Sequence, residues 1–343
     1  MHRTRITPMN RRSFLAATGA AFGGTMIGIH PGPAQDKYNV RLQLGWLASN
    51  GILGEIAADK MGFYAEEGLT LEIVAGGPNI DGVASVASGQ ANLGSISSSP
   101  SLMLARSAGL PIKCIAVGYQ KHPFTYFSLK SNPVSKPEDL IGKRVGTNGT
   151  ARILLQALLA KNGIPEDKVE VQVIGADMAP LMTGQVDVVT GWKTNTSALE
   201  ILGDQRVDLT LWDSGVQLYA NPYYVNDTTL NDHRDKVEAM LRASARGWGY
   251  VRENPQQSVE YMLERYPNMD RDDEMATVDL VLAYSFDEKT RENGWGTMTR
   301  ENWQAQIDIY NQLGQFTAAP PKVEDIMTLD ILDATAAVRP HVG

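Results

Sequence analysis

Two stretches of this chain share one pattern: SGQANLGSISSSP at Ser88–Pro100 and TGQVDVVTGWKTN at Thr183–Asn195. Each has a small hydroxyl residue, Gly-Gln, any residue, Asn or Asp, and a short apolar run that ends in polar residues. The surrounding pattern also recurs in Val40–Ser99 and Arg144–Asn195: strand, loop, helix, strand, glycine loop, short helix, strand. The repeat predicts two similar lobes, with each stretch holding the third strand of its lobe.

The alternation of strands and helices predicts an α/β fold of two lobes, each a mostly parallel sheet with helices on both faces. Ligands of open α/β sheets bind outside the carboxyl ends of the strands, so facing lobes predict a ligand cleft between them. After the second repeat the pattern changes to one strand followed by helices, and this tail is expected to complete the first lobe. The predicted limits are 35–122 with 220–343 for lobe 1 and 123–219 for lobe 2.

The first 34 residues are predicted to be an export signal. Arg11 and Arg12 precede a mildly apolar stretch, Ala16–Ile29, that is too short to span a bilayer. This resembles a twin-arginine signal, with a disordered tail as the alternative. Without residues 1–34 the chain loses four arginines and keeps 27 basic against 39 acidic residues, a net charge of −12. That charge argues against nucleic acid and anionic membranes as partners, and we expect a periplasmic protein.

The sequence offers little support for catalysis or for a cofactor. Cys114, the one cysteine, lies in the predicted strand LPIKCIAV and is expected to be an inert core residue. His122, His233 and His341 lack the spacing of metal ligands, and no G-x-S-x-G motif occurs. The glycine-rich AGGPNIDGVASVASG lacks the G-x-G-x-x-G spacing of a dinucleotide site. We therefore expect no cofactor, no metal and no enzyme activity.

Several stretches occur in the order typical of one family: ADKMGFYAEEGLTLEIVAGG, GQANLGSISSSPSLMLARSAGLPIKCIA, KPEDLIGKRVGTNGT, LMTGQVDVVTGW and RASARGWGYVRENPQQSVEYM. From about Val40 to Leu332 the chain resembles the SsuA/THI5-like substrate-binding proteins of ABC importers for nitrate, sulfonate, taurine and thiamine-pyrimidine precursors. The resemblance implies a periplasmic-binding-protein fold of type 2 that closes on its ligand by hinge motion. It also implies a monomer that delivers a small-molecule solute to a membrane permease and ATPase.

The resemblance places ligand contacts in the loop after the first strand, in the loop after the third strand and at the start of the second lobe, with Trp192 at the matching strand end. Other polar residues at predicted strand ends and crossings extend this set. The expected ligand-binding residues are Trp46, Asn50, Ser97, Ser98, Ser99, Gln120, Thr147, Asn148, Thr150, Asp177, Trp192, Lys193, Asn195 and Tyr219.

Structural roles compete with ligand binding at several of these positions. Ser99 is expected to be the N-cap of a helix whose first residue is Pro100, and Asn148 or Thr150 to cap the second-lobe helix. Hinge or core packing is the alternative at Tyr219. Capping leaves helix N–H groups that attract anions.

Two ligand classes stay open. Trp46 and Trp192 on opposing walls favour a planar heterocycle, such as a thiamine pyrimidine precursor, held between indoles. The helix starts and Lys193 favour a small anion: an alkylsulfonate, taurine, nitrate or an aromatic carboxylate. A pyrimidine-synthase-like enzyme of the same fold is a third hypothesis, but the cysteine-rich motif of those enzymes is missing. A sensor that docks onto a receptor is a fourth.

Overall fold

The computed structural model describes residues 37–77, 80–148, 151–175 and 177–342. The predicted export signal and the candidate Thr150 lie outside these residues. Ten strands lie within them: β1 (Tyr38–Leu44), β2 (Leu69–Val74), β3 (Leu93–Ser95), β4 (Ile112–Tyr119), β5 (Phe124–Leu129), β6 (Arg144–Thr147), β7 (Glu170–Val173), β8 (Val188–Trp192), β9 (Arg206–Thr210) and β10 (Ala220–Asn226).

The described α-helices are mostly short and follow the strands. They are α1 (Leu53–Lys60), α2 (Phe63–Glu66), α3 (Gly82–Ala87), α4 (Ser99–Ser107), α5 (Arg152–Lys161), α6 (Ala179–Met182), α7 (Thr196–Leu199), α8 (Asp227–Asp232), α9 (Arg234–Glu253), α10 (Pro255–Arg265), α11 (Arg271–Ser285), α12 (Glu288–Asn293), α13 (Arg300–Gln312), α14 (Val323–Ile326) and α15 (Asp330–Ala334). Short 3₁₀ helices occupy Asn50–Ile52, Pro137–Leu140, Glu166–Lys168, Glu200–Gln205 and Ala336–Val338.

The strands form two five-stranded sheets with the same topology. Their orders are β2-β1-β3-β10-β4 and β7-β6-β8-β5-β9. In each sheet one strand, β10 or β5, is antiparallel to its two neighbours, and the other four run in one direction. β3 and β8 are the third strands of their repeats and pair in parallel with β1 and β6. The prediction of a mostly parallel α/β fold with two sheets is therefore confirmed. We call the part built on each sheet the first lobe and the second lobe.

The chain passes between the lobes twice, from β4 to β5 through residues 120–123 and from β9 to β10 through residues 211–219. β10 enters the first sheet between β3 and β4 after the second sheet is complete. The carboxyl ends of β1 and β3 lie at one edge of the first sheet, and those of β6 and β8 lie at one edge of the second sheet.

The core follows from the alternation read in the sequence. Val40 and Leu42 are fully buried and Leu44 is 4% exposed. Cys114 in β4 is also fully buried, and burial raises the pKa of its thiol far above the usual range, which fits an inert core residue. Among the residues that the structure describes, every helix is too short or too polar to cross a lipid bilayer.

In the first lobe, α1 and α9 pack closely where two glycines face each other. A Cβ atom at Gly247 of α9 would lie 2.0 Å from the carbonyl oxygen of Gly54 in α1, and a Cβ at Gly54 would lie 2.2 Å from the indole of Trp248. Only glycine permits this approach of the two backbones. The contact holds α1, which follows the loop after β1, against α9.

Candidate functional site

The loop after β1 presents an exposed tryptophan. Trp46 follows the strand by two residues and is 53% exposed. Its carbonyl oxygen accepts a hydrogen bond of 3.1 Å from the amide of Gly76, just after β2, so the loop is tied to the neighbouring strand end. A Cβ at Gly76 would lie 2.3 Å from the Leu44 carbonyl oxygen, which is why glycine is needed there. The backbone of Trp46 is fixed while its indole face stays accessible to a ligand.

The serines after β3 have separate partners. Ser97 is half-buried, and its carbonyl oxygen accepts from the amide of Asn221 at 3.3 Å. The Ser98 hydroxyl lies 3.0 Å from Nε2 of His122. Ser99 is fully buried: its hydroxyl donates to Oε1 of Gln306 at 2.5 Å and accepts from the Tyr219 amide at 3.2 Å.

The expected N-cap at Ser99 is wrong by one residue. α4 begins at Ser99, and Ser98 is in the N-cap position, where its side chain makes no capping hydrogen bond. The reason is that both hydroxyls have partners far away in the sequence. The Ser99 hydroxyl donates to Gln306 of α13, and the Ser98 hydroxyl is hydrogen-bonded to His122. Pro100 lies in the first helical turn, where its missing N–H is not needed.

Asn50, Gln120 and Tyr219 are buried to 2%, 1% and 0% exposure. The Asn50 amide nitrogen donates to the Glu274 carbonyl oxygen at 3.0 Å, and the Gln120 amide nitrogen donates to that of Thr297 at 2.9 Å. Within the described residues, neither side-chain oxygen of Asn50 and Gln120 has a hydrogen-bond partner.

The Tyr219 hydroxyl accepts from the Thr299 amide at 3.0 Å, and its ring lies 5.8 Å from that of Trp303. These contacts are those of a packing residue at the second crossing. Like Asn50 and Gln120, Tyr219 joins the ends of the first-lobe strands to the C-terminal helices, and ligand contact by all three stays a prediction.

The second lobe contributes candidates at the ends of β6 and β7. The Thr147 hydroxyl is buried and accepts from that of Thr190 in β8 at 2.7 Å. Oδ1 of Asn148 accepts from the Ala151 amide at 2.7 Å, just before α5. Oδ1 of Asp177 accepts from the Ala179 amide at 2.8 Å at the start of α6. Asn148 and Asp177 thus follow neighbouring strands, and each accepts a hydrogen bond from a backbone amide at or next to the start of a helix.

At the end of β8, Trp192 is half-buried and Lys193 is ion-paired. Nζ of Lys193 lies 3.0 Å from Oδ2 of Asp208, whose other oxygen lies 2.9 Å from Nε of Arg206. Two cations therefore share one carboxylate in β9, which leaves these three side chains with a net charge of +1. Asn195 follows, exposed, and makes no side-chain cap to α7.

His122 was not among the expected ligand-binding residues, but it contacts two of them, Ser98 and Trp192. It is 1% exposed in the first crossing, and its ring lies 5.2 Å from that of Trp192 at an interplanar angle of 63°. Nδ1 accepts from the Phe124 amide at 3.2 Å. Burial lowers the pKa of the imidazole to about 3, so the ring is neutral near pH 7. The sequence feature that indicates this residue is its position before Pro123 in the short segment between two strands. The sequence analysis considered His122 only as a metal ligand.

Asn221 was also missed. Among the described residues, it is the one non-glycine residue with positive φ, at +48°. Its backbone closes the bridge between β10 and Ser97. Asn tolerates the left-handed region better than most residues, and such conformations collect at functional sites.

The two lobes also touch through a pair of threonines. The hydroxyls of Thr196 in α7 and Thr277 in α11 lie 2.6 Å apart. Because the Thr277 hydroxyl donates to the Asp273 carbonyl oxygen at 2.8 Å, Thr196 donates to Thr277. Carbonyl oxygens of α11 also accept hydrogen bonds from Asn50 and Gln120 of the first lobe, so α11 packs with that lobe. The hydrogen bond between the two threonines is therefore a direct contact between the lobes.

The described residues contain no group of three or more His, Cys, Asp and Glu side chains that could hold a metal ion. The arrangement instead offers indole faces, hydroxyls and amide groups. Such groups bind and orient a molecule by stacking and hydrogen bonds.

Comparisons with known proteins agree with this geometry. A family model described as NMT1/THI5 like matches residues 49–258, more than half of the chain. The riboflavin-binding protein RibY of Chloroflexus aurantiacus is 28% identical over 239 residues, which cover 67% of this chain and 68% of that protein. The formylaminopyrimidine-binding protein of Halalkalibacterium halodurans is 26% identical over 231 residues, covering 65% and 69%.

A relative from Legionella pneumophila, named 4-amino-5-hydroxymethyl-2-methylpyrimidine phosphate synthase, is 24% identical over 239 residues, covering 68% and 75%. Among solved structures, the alkanesulfonate-binding protein SsuA of Xanthomonas axonopodis pv. citri, bound to MOPS, superposes with a TM-score of 0.61. It is 15% identical, and the match covers 86% of this chain and all of that one. At that identity the likeness concerns the fold, which is that of the periplasmic binding proteins.

Proposed function

This chain belongs to the NMT1/THI5-like family, and from that premise we propose that it is the solute-binding component of an ABC-type importer. It captures a small organic molecule between its lobes and delivers it to a membrane permease and ATPase. The proposed lobes take residues 35–122 with 220–343, and 123–219. The strand content of the two sheets supports this division.

The proposed solute is a planar nitrogen heterocycle, such as a pyrimidine precursor of thiamine or a flavin. The observation that carries this choice is a tryptophan at a strand end in each lobe: Trp46 is exposed after β1, and Trp192 is half-buried at the end of β8. Indoles at these two places suit stacking on a flat ring. The relatives named for riboflavin and formylaminopyrimidine support the same ligand class.

A small anion is the second candidate, and the fold shared with a sulfonate-binding protein favours it. Lys193 was the cation expected to bind it. Because Asp208 already pairs with both Lys193 and Arg206, an anion here would have to compete with a carboxylate 3.0 Å from the ammonium group. The three side chains together still carry one net positive charge, which favours an anion, whereas the two tryptophans and the names of the relatives favour the heterocycle.

An enzyme of the pyrimidine-synthase type is not proposed. One relative carries a synthase name, but the sequence lacks a cysteine-rich motif and its single cysteine is buried in β4. The chemistry of the described site supports binding of a solute as a whole molecule. We further propose a monomer in the periplasm, exported through the twin-arginine pathway by the N-terminal segment.

A ligand screen tests this function. The protein without residues 1–34 is melted alone and with riboflavin, formylaminopyrimidine, benzoate, pentanesulfonate, taurine and nitrate, each at millimolar concentration. A ligand at a thousand times its Kd stabilises by about 4 kcal/mol, which raises Tm by several degrees. We expect the shift with a heterocycle. A shift with pentanesulfonate, taurine or nitrate alone would contradict the proposed ligand class, and conversion of a heterocycle into product would contradict the binding role.

A further inference from the structure

Both repeated stretches contact one buried histidine. In the first stretch, the hydroxyl of Ser98 lies 3.0 Å from Nε2 of His122. In the second stretch, the ring of Trp192 packs edge-on against the same imidazole at 5.2 Å. His122 itself lies in the chain that joins the lobes and is 1% exposed. It contacts both predicted walls of the cleft and is itself almost completely shielded from it.

The hydrogen bonds of His122 determine which of its two ring nitrogens carries the proton. The Phe124 backbone amide can only donate, so Nδ1, which accepts from it at 3.2 Å, carries no proton. A neutral imidazole then carries its proton on Nε2, and burial keeps this ring neutral by lowering its pKa to about 3. Nε2–H therefore donates to the Ser98 oxygen.

This direction determines what Ser98 can offer. A serine hydroxyl has one hydrogen, and with its oxygen accepting from His122, that hydrogen is directed elsewhere. Ser98 occupies the N-cap of α4 but makes no capping bond, although N-cap serines usually accept from the helix amides. The side chain is turned from the helix towards the crossing, and it is half-buried at a strand's carboxyl end.

We infer that His122 is a positioning residue that presents the Ser98 hydroxyl to the cleft as a hydrogen-bond donor, so that the bound solute places an acceptor atom there. The inference rests on the proposed function and deepens it. The solute then carries a carbonyl oxygen, a ring nitrogen or an acidic oxygen at the edge that meets Ser98, next to the Trp192 ring. A molecule with only N–H donors at that edge leaves the Ser98 hydrogen without an acceptor and binds more weakly.

The test compares four variants by isothermal titration with the tightest-binding probe among riboflavin, formylaminopyrimidine and pentanesulfonate. S98A removes the donor. H122N keeps an acceptor for the Phe124 amide but is too short to reach Ser98, whereas H122Q places an amide nitrogen near the position of Nε2. The double variant S98A/H122N shows whether the two residues act through one contact. S101A, another half-buried serine of the same helix, is the matched control.

We expect S98A and H122N to raise Kd by roughly three- to tenfold, the range for one lost hydrogen bond. H122Q should stay within about twofold of wild type, and the double variant should bind no more weakly than S98A. Wild-type affinity in S98A, or losses that multiply in the double variant, would overturn the inference. S98A leaves His122 in place, so it decides the matter even if H122N does not fold. If only pentanesulfonate binds, the proposed ligand class is wrong. The variants are then compared with pentanesulfonate as the probe, because its sulfonate oxygens can accept the Ser98 hydrogen bond.

Discussion

Replacing Glu55 by glutamine should stabilise the protein, and by an amount that depends on pH. Glu55 is fully buried in α1. Within the described residues neither carboxyl oxygen has a well-formed hydrogen bond, although Tyr223, Ser244 and Trp248 lie close enough to offset part of the burial. Burial raises the pKa of Glu55 from 4.5 to about 7. The folded protein therefore holds the proton more tightly than the unfolded chain.

The sign follows from this difference. Below pH 4.5 the carboxyl is neutral in both states, and its burial carries no charge penalty. As the pH rises towards 7 the unfolded chain ionises first, so the folded state loses stability. Above about pH 7 the loss is complete and amounts to roughly 3 kcal/mol, at 1.36 kcal/mol for each pKa unit. The E55Q variant has no charge to bury and escapes this loss.

Urea unfolding of wild type and E55Q between pH 4 and pH 8 measures the effect. We expect nearly equal free energies of unfolding at pH 4 and an advantage of roughly 3 kcal/mol for E55Q at pH 8. E253Q, which changes an exposed glutamate of α9, is the matched control and should not alter the pH profile. A difference between wild type and E55Q that does not change with pH would refute the reasoning.

Two further predictions concern packing and closure. G247A should destabilise the protein by about 2–4 kcal/mol in urea unfolding, because its Cβ would lie 2.0 Å from the carbonyl oxygen of Gly54. The control G249A should be neutral, because its Cβ would lie 3.5 Å from the nearest atom, in Pro340. Equal effects of the two variants would contradict the contact between α1 and α9. T196V removes the donor of the 2.6 Å hydrogen bond to Thr277 and should raise the radius of gyration of the ligand-free protein in X-ray scattering, with S197A as the control. An unchanged radius would show that this contact does not hold the lobes together.

The sequence predicts most of the fold because the fold depends on local patterns. The alternation of Val40, Leu42 and Leu44 marks β1, and the two Gly-Gln stretches mark the third strands of both sheets. The return of the tail could be predicted because the sequence pattern changes after the second repeat to one strand followed by helices, and that strand, β10, lies between β3 and β4 of the first sheet.

The site was harder to predict because its partners are distant in the chain. The position of Ser99 depends on Gln306, 207 residues away, and this contact moved the helix start by one residue from the expected place. The ion pair that occupies Lys193 depends on Asp208 in another strand. His122 and Asn221 show their importance only through the hydrogen bonds of the crossings. No periodicity or motif records such contacts.

The most direct test of the account is the affinity of W46A for the heterocycle that binds wild type best, measured by isothermal titration beside the neighbouring control L47A. Leu47 is 60% exposed in the same loop, so L47A tests whether any exposed apolar side chain there suffices. The account predicts that W46A weakens binding by roughly 1–3 kcal/mol, the scale of lost stacking and burial, while L47A binds like wild type. Wild-type affinity in W46A would contradict the claim that the heterocycle is held against this indole.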